Sequence, residues 1–154
     1  YSNVLKNIRI RELNLLTGKK QVYLLNGDEA DVPGALKDKI GEMGGGYVVA
    51  NLAAAGEISE LIRKAYEILD LISFFTTGED ETRAWTIEKD MKAPQAAGVI
   101  HSDFEKNFIR AEVISCDQLL QAGSWSAAKA KGWIRLEGRD YIVQDGDVIV
   151  VRHG

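Results

Sequence analysis

The run Arg83-Ala-Trp-Thr-Ile-Glu-Lys-Asp-Met-Lys-Ala-Pro-Gln-Ala-Ala-Gly-Val-Ile-His-Ser-Asp-Phe-Glu-Lys-Asn-Phe-Ile-Arg-Ala-Glu-Val-Ile114 decides how the second half of this chain is read. It starts as a strand, Arg83–Ile87, passes through Pro94 and a patch of small residues to a single histidine, and ends in a second strand-like stretch, Ile109–Ser115. No nucleophile stands beside a base and no set of metal ligands is present, which is the make-up of a binding module. His101, with Asp103 and Glu105 nearby, has the residue types of a general base and its orienting groups. Lacking a nucleophile, it reads instead as a structural histidine whose ring bonds neighbouring backbone. His153, at the very end, reads as part of a solvated tail.

Outward from this segment, further short strands are expected at Trp133–Leu136, Tyr141–Val143 and Val148–Arg152, with a helical turn at Asp117–Ala122. Asp145-Gly146 is a hairpin turn signal, because glycine tolerates positive φ. Upstream, the polar cluster Thr76-Thr-Gly-Glu-Asp-Glu-Thr82 breaks the apolar pattern and is the best boundary between two domains, taken as 1–72 and 73–154.

The first part alternates differently. Gln21-Val-Tyr-Leu-Leu25 and Tyr47-Val-Val-Ala-Asn51 are short apolar runs bounded by turn residues, as strands buried on both faces of a parallel sheet are. Residues 35–43 suit a helix between them, closed by Gly44-Gly45-Gly46, which makes a parallel crossover unit. Ser59 can cap a helix in which Ile58, Leu61, Ile62, Ala65, Ile68, Leu69 and Ile72 recur at three- and four-residue steps. Val4, Ile8, Leu13, Leu15 and Leu16 form an imperfect helical stripe before a stop at Gly18. The fold class is therefore α/β followed by α+β.

With 154 residues, 45% of them hydrophobic, the chain can build one ordinary domain or two small ones. A net charge of −4 argues against DNA binding through bulk charge and makes any RNA contact local. Cys116 is the sole cysteine, which excludes an internal disulfide and a multi-cysteine zinc site and suits a reducing, cytoplasmic setting. No run approaches the roughly 18 apolar residues that cross a bilayer, so no membrane partner is expected. The start at Tyr-Ser-Asn-Val, without an initiator methionine, reads as part of a longer chain.

Three groups of residues have the chemistry to bind something. Asn26-Gly27-Asp28-Glu29 follows a parallel strand at its carboxyl end, where open α/β sheets hold ligands. The carboxamide of Asn26 both donates and accepts, and the carboxylate of Glu29 can accept from an exocyclic amine, a pair suited to a nucleobase edge. Trp125, Lys129, Lys131, Trp133, Arg135 and Arg139 lie close together in sequence, and aromatic and cationic groups of this kind can face RNA. Buried tryptophans beside a solvated basic rim are the other reading of that cluster.

The run from Arg83, with Lys92-Ala-Pro-Gln-Ala-Ala-Gly98, Ile100-His-Ser-Asp-Phe-Glu-Lys106 and the second signature Tyr141-Ile-Val-Gln-Asp-Gly-Asp147, closely resembles the C-terminal TGS domain of the Obg-like ATPase (YchF) family of P-loop NTPases. The resemblance is strong over Phe74–Val151 and weaker over Glu12–Leu71. It implies the C-terminal half of a G-type nucleotide domain followed by a ubiquitin-like β-grasp. It further implies that Asn26 and Glu29 match the family's Asn-x-x-Glu, associated with adenine in place of guanine, and that Ala53 and Ala54 match its last nucleotide loop. On this resemblance the intact protein uses ATP and Mg²⁺, with GTP as a second nucleotide, and docks on the ribosome or a ribosomal subunit through the TGS domain. Lys129, Lys131, Trp133, Arg135 and Arg139 would be the contacts.

This sequence departs from the family at Asn107, where glycine is common, at the ending Val-Arg-His-Gly154, and in a short connection between Ala55 and Ser59. None of its residues form a Gly-x-x-x-x-Gly-Lys-Ser/Thr phosphate loop. The chain by itself is therefore expected neither to hold nucleotide tightly nor to hydrolyse it. The alternative is a stand-alone, non-catalytic module for RNA or protein.

Overall fold

A computed structural model describes residues 19–53, 58–78 and 81–154. The helical stripe expected over residues 4–16 lies outside the described residues, as does Ala54. The chain divides into two compact units, 1–69 and 70–154.

In the first unit, β1 (Val22–Asn26) leads through a single 3₁₀ turn at Glu29–Asp31 to α1 (Gly34–Glu42), then β2 (Gly46–Ala50) and α2 (Ile58–Ile68). The strands pair in parallel from Val22↔Gly46 to Asn26↔Ala50, the crossover pairing that their apolar runs implied. Pro33 at the helix entry fixes its own φ, and Gly44, at φ +73, ends α1 in a conformation costly for any side chain. Gly46 meets a different demand: a Cβ there would lie 2.0 Å from Ile68 Cδ1, so its bareness lets α2 close onto β2. Ile40, Val48 and Ala50 are buried between these elements.

The helical spacing that ran on to Ile72 stops earlier. Asp70 turns the backbone left-handed, at φ 54, and Leu71–Thr77 is not helix but strand β3. The competing pattern wins because β3 pairs along its whole length with β4 (Thr82–Glu88), from Leu71↔Glu88 to Thr77↔Thr82, and buries Phe74 to 1% exposure. Thr76, Thr77 and Thr82 of the polar cluster are consequently strand residues of this pair, and the break between the two units falls at 69/70.

The rest of the second unit comprises α3 (Ala93–Ile100), α4 (Ser102–Lys106), β5 (Phe108–Ser115), α5 (Cys116–Ala122), α6 (Trp125–Ala130), β6 (Arg135–Glu137) and β7 (Asp147–His153). The sheet order is β4-β3-β7-β5-β6. β7 runs antiparallel to β5 from Ser115↔Asp147 to Phe108↔His153, and parallel to β3 at Phe75↔Val148. The small-residue patch is helix α3. Its Ala93, Ala96 and Ala97 are buried against the sheet, Pro94 occupies the first turn, and the Lys92 N–H donates to Gln95 Oε1 at 3.1 Å.

Two clusters fill the faces of this sheet. Phe74, Ile87, Phe108, Val113, Val143 and Ile149 pack with α3 on one side. Ile114, Val148 and Ala128 pack with Trp125, Trp133 and Leu119 from the α5–α6 side on the other. Both of these tryptophans are thus half-buried, packed against the second cluster.

Two expected strands differ from what folds. Trp133 is drawn into the second cluster, which leaves only Arg135–Glu137 to pair with β5. Tyr141–Val143 joins no sheet. Its backbone instead pins the entry of α3, through Ala93 N–H to Tyr141 O at 2.8 Å and Val143 N–H to Met91 O at 3.1 Å. The turn at Asp145-Gly146 forms, with Gly146 at φ +80, yet it is no hairpin, because β7 pairs with β5 and β3. His153 belongs to β7 and stacks on Phe104 at 4.3 Å, so it is not a loose tail.

Candidate functional sites

In the first unit the loops after β1 and β2 are tied together. Gly27 N–H donates to Ala50 O at 3.2 Å, and Leu52 N–H donates to Asn26 Oδ1 at 3.1 Å. The oxygen of the Asn26 carboxamide is thus spent on holding the 51–53 loop, which leaves its amino group as the donor toward a ligand. Ala53 is exposed on that loop, its N–H bonded to Asn51 Oδ1 at 3.1 Å.

Glu29 stands on the 3₁₀ turn, largely exposed, and forms an ion pair with Lys37 of α1. That bond raises the Lys37 ammonium above its ordinary pKa, with burial opposing. A carboxylate offers about four acceptor positions, so the ion pair leaves acceptor capacity for an exocyclic amine. Glu29 also borders a cleft of about 1010 Å³ between β2 and α2, with Tyr47, Ser59, Arg63 and Lys64. Asn26 is not among the residues bordering it. The fold therefore joins Asn26 to Leu52, next to Ala53, but it sets Glu29 beside a different opening. Ser59 sits one residue inside α2 and borders this cleft.

In the second unit the buried carboxylate of Asp147 organises a polar knot. Its Oδ2 accepts from Tyr141 OH at 2.6 Å and from Gln144 N–H at 2.9 Å, and Arg135 lies 3.5 Å from Oδ1. Burial, then the bond to Asp147, pushes the Tyr141 phenol up to about 12. Arg135 also holds Glu137 and Tyr141, and Arg139 donates to Phe108 O at 2.7 Å. These two arginines are thus exposed but bonded to neighbours in the same unit. Lys131 covers the ring of Trp133 at 4.5 Å, and Lys129 is exposed on α6. His101 caps α4: its Nδ1 accepts the Asp103 N–H at 3.3 Å, the backbone bond expected of it.

Reading the sequence missed Glu112 and its partners. Glu112, 8% exposed, receives Arg152 through Nε at 3.1 Å and Nη2 at 3.3 Å. The signal was a carboxylate between the apolar residues Ala111 and Val113 of a predicted strand, which demands a cation if that part is buried. Among the described residues no group of three or more His, Cys, Asp or Glu could hold a metal ion, and no helix is long and apolar enough to cross a membrane.

The family profile YchF-GTPase_C, described as a protein of unknown function (DUF933), matches residues 71–154. The ribosome-binding ATPase YchF of Bacillus subtilis is 40% identical over 173 residues, covering 93% of this chain and 47% of that protein. Obg-like ATPase 1 of Homo sapiens is 40% identical over 176 residues, covering 94% and 44% respectively. This chain therefore spans about half the length of the curated relatives it matches. The YchF GTPase of Schizosaccharomyces pombe superimposes with a TM-score of 0.74 at 32% identity, over 93% of this chain and 46% of that one. A GTP-binding protein of Pyrococcus horikoshii OT3 shares the fold at a TM-score of 0.55 and 17% identity, over 86% and 45%. With its second unit matched throughout and its α/β architecture shared with a solved relative, the chain belongs to the YchF family of Obg-like ATPases.

Proposed function

We propose that this chain is the base-reading and partner-docking portion of a cytoplasmic, ribosome-associated ATPase. The observation that carries the proposal is its similarity, over more than nine-tenths of its length, to proteins named ribosome-binding ATPase and Obg-like ATPase. On this reading residues 1–72 are the C-terminal half of a G-type P-loop domain, and 73–154 form a TGS domain of β-grasp type. A sheet with helices on both faces and a parallel crossover ahead of it supports that division.

The Asn26 amino group would donate to a ring nitrogen of adenine and the free lone pairs of Glu29 would accept its exocyclic amine. Ala53 and Ala54 would line the base from the second loop. For both polar groups to reach one base, the turn carrying Glu29 would swing toward Asn26 and release Lys37. The phosphates and Mg²⁺ would be held by residues other than these, since the 154 residues contain no phosphate loop. Nucleotide supplies the on-and-off signal, and the second unit would carry it to the ribosome.

Calorimetry on a longer form that includes a phosphate loop tests the base assignment. ATP should bind more tightly than GTP, and Glu29→Ala should erase the preference, a change of about tenfold for one polar contact, on the order of 1–2 kcal/mol. Tighter binding of GTP by the unaltered protein would defeat the assignment.

A further inference from the structure

Two groups of like chemistry seek the Glu29 carboxylate. One is the exocyclic amine of an adenine, and the other is the Lys37 ammonium that holds Glu29 in this structure. Both donate N–H to carboxylate oxygens, and the ammonium is the stronger, since its full charge adds Coulomb attraction to the hydrogen bond. The conflict is one of place. Held by Lys37, Glu29 faces the cleft between β2 and α2, which Asn26 does not border. One carboxylate cannot stand in both positions.

The segment that carries Glu29 is lightly tied. Gly27 precedes it at φ +145, a conformation that suits glycine, and Pro33 follows it with φ fixed at −61. The turn Glu29–Asp31 has no buried residue, and Asp28 at its entry makes no side-chain cap bond. Among the described residues, the bond that ties this turn to the rest of the unit is the ion pair with Lys37. Lys37 is the better anchored partner: its side chain is 20% exposed against 70% for Glu29. Its ammonium also lies 5.8 Å from the centre of the Tyr47 ring on β2. An aromatic face within about 6 Å attracts a cation, so a Lys37 that lets go of Glu29 already has a second place to rest.

We propose that Lys37 is an internal competitor of adenine, which holds the Glu29 turn away from Asn26 until the ammonium passes from Glu29 to the Tyr47 face. Lys37 thereby sets how tightly the base is held and how sharply adenine is told from guanine. Guanine has a carbonyl where adenine has its amine, so a carboxylate freed to reach the base repels it, whereas a carboxylate kept on Lys37 does not. The inference rests on the assignment of Asn26 and Glu29 to the base and adds the residue that tunes them.

The longer form that includes a phosphate loop serves again for calorimetry. Lys37→Met keeps an apolar stem of similar length and removes the charge, and Ile40, the buried residue of α1, is untouched. ATP should bind this variant about two- to fivefold more tightly than the unaltered protein, the range for releasing one exposed ion pair, and GTP should gain nothing. Added salt should shrink the difference, because it screens an exposed pair. Lys39→Met makes the same change of charge on the same helix and should bind as the unaltered protein does. In a Glu29→Ala background Lys37→Met should have no effect, since the competition acts through Glu29. In the 154-residue chain without nucleotide, amide order parameters of residues 29–31 measured by NMR should fall in Lys37→Met and hold in Lys39→Met.

Equal ATP affinity of Lys37→Met and the unaltered protein, while Glu29→Ala still erases the preference for ATP, overturns the competition and leaves the base assignment standing. Weaker ATP binding by Lys37→Met overturns it as well, by making Lys37 a ligand of the nucleotide. Order parameters that do not change show that Lys37 does not hold the turn, with the same consequence. A preference for ATP that survives Glu29→Ala removes the base assignment, and the role of Lys37 falls with it.

Discussion

The two units spend apolar side chains differently. The second closes a five-stranded sheet over two clusters and leaves Phe74, Val113, Ile114 and Val143 at 1% exposure or less. Among the described residues the first pairs two strands and buries only Ile40, Val48 and Ala50, while Leu24, Leu36, Met43, Leu52 and Ile62 remain between 36% and 57% exposed. Parallel strands are stable when both faces and both edges are covered, because neither face is built to meet water. The antiparallel pairs of the second unit meet most of their needs among themselves. Stability should therefore be concentrated in residues 70–154.

The largest effect comes from separating the two. Residues 70–154 produced alone should unfold in one cooperative urea transition with a midpoint close to that of the full chain. Residues 19–69 alone should show a shallow, non-cooperative loss of circular dichroism. A sharp transition from the shorter piece would break the comparison.

Next in size is Asp147→Ala. It strips the partner from Tyr141 OH and Gln144 N–H and frees Arg135, at a cost of about 2–4 kcal/mol for an interior network of this kind. Trp85, Trp125 and Trp133 all lie in the second unit, so tryptophan fluorescence follows that unit alone. Its unfolding midpoint should fall markedly, and an unchanged midpoint would show that the knot contributes nothing.

The smallest effect is in pH dependence. Tyr141 has a folded pKa of about 12 against 10.0 for an ordinary tyrosine, so its stabilisation is complete below pH 10 and is lost as pH rises toward 12. Glu112 is displaced the other way. Its stabilisation is present above the ordinary glutamate range and is lost as pH falls through its lowered value. Tyr141→Phe should flatten the alkaline arm of the fluorescence-monitored melting profile and leave the acid arm alone, whereas Glu112→Gln should do the reverse. Profiles that changed on the same arm in both variants would contradict the assignment.

Much of the local structure is legible in the residues. The apolar runs at Val22 and Tyr47, the glycines that close α1, the position of α2, and β5 and β7 all follow from periodicity and turn chemistry within a few residues of each position. The backbone bond of His101 follows from the same local reasoning. Elsewhere two local patterns compete, and a distant partner decides between them. Leu69 and Ile72 continue the spacing of α2, but β4 claims Leu71–Thr77. Ala93–Ile100 lacks large apolar residues to mark a helical face, because close approach to the sheet needs small ones. Trp133 shortens β6 because the core takes it.

The candidate sites divide in the same way. Asn26 and Glu29 are apparent from residue type after a strand, yet it is the Leu52 and Lys37 contacts that set which of their atoms are free. Arg135 and Arg139 look like available cations until Asp147 and Phe108 are found beside them.

By itself the sequence determined the family, the alternation of strands and helices, and the residue types on offer, because those depend on composition and on neighbours along the chain. Only the tertiary structure decided which charges are consumed and which face outward. Glu112 meets Arg152 forty positions away, a pairing set by the register of two strands and by the cost of burying a carboxylate without a cation.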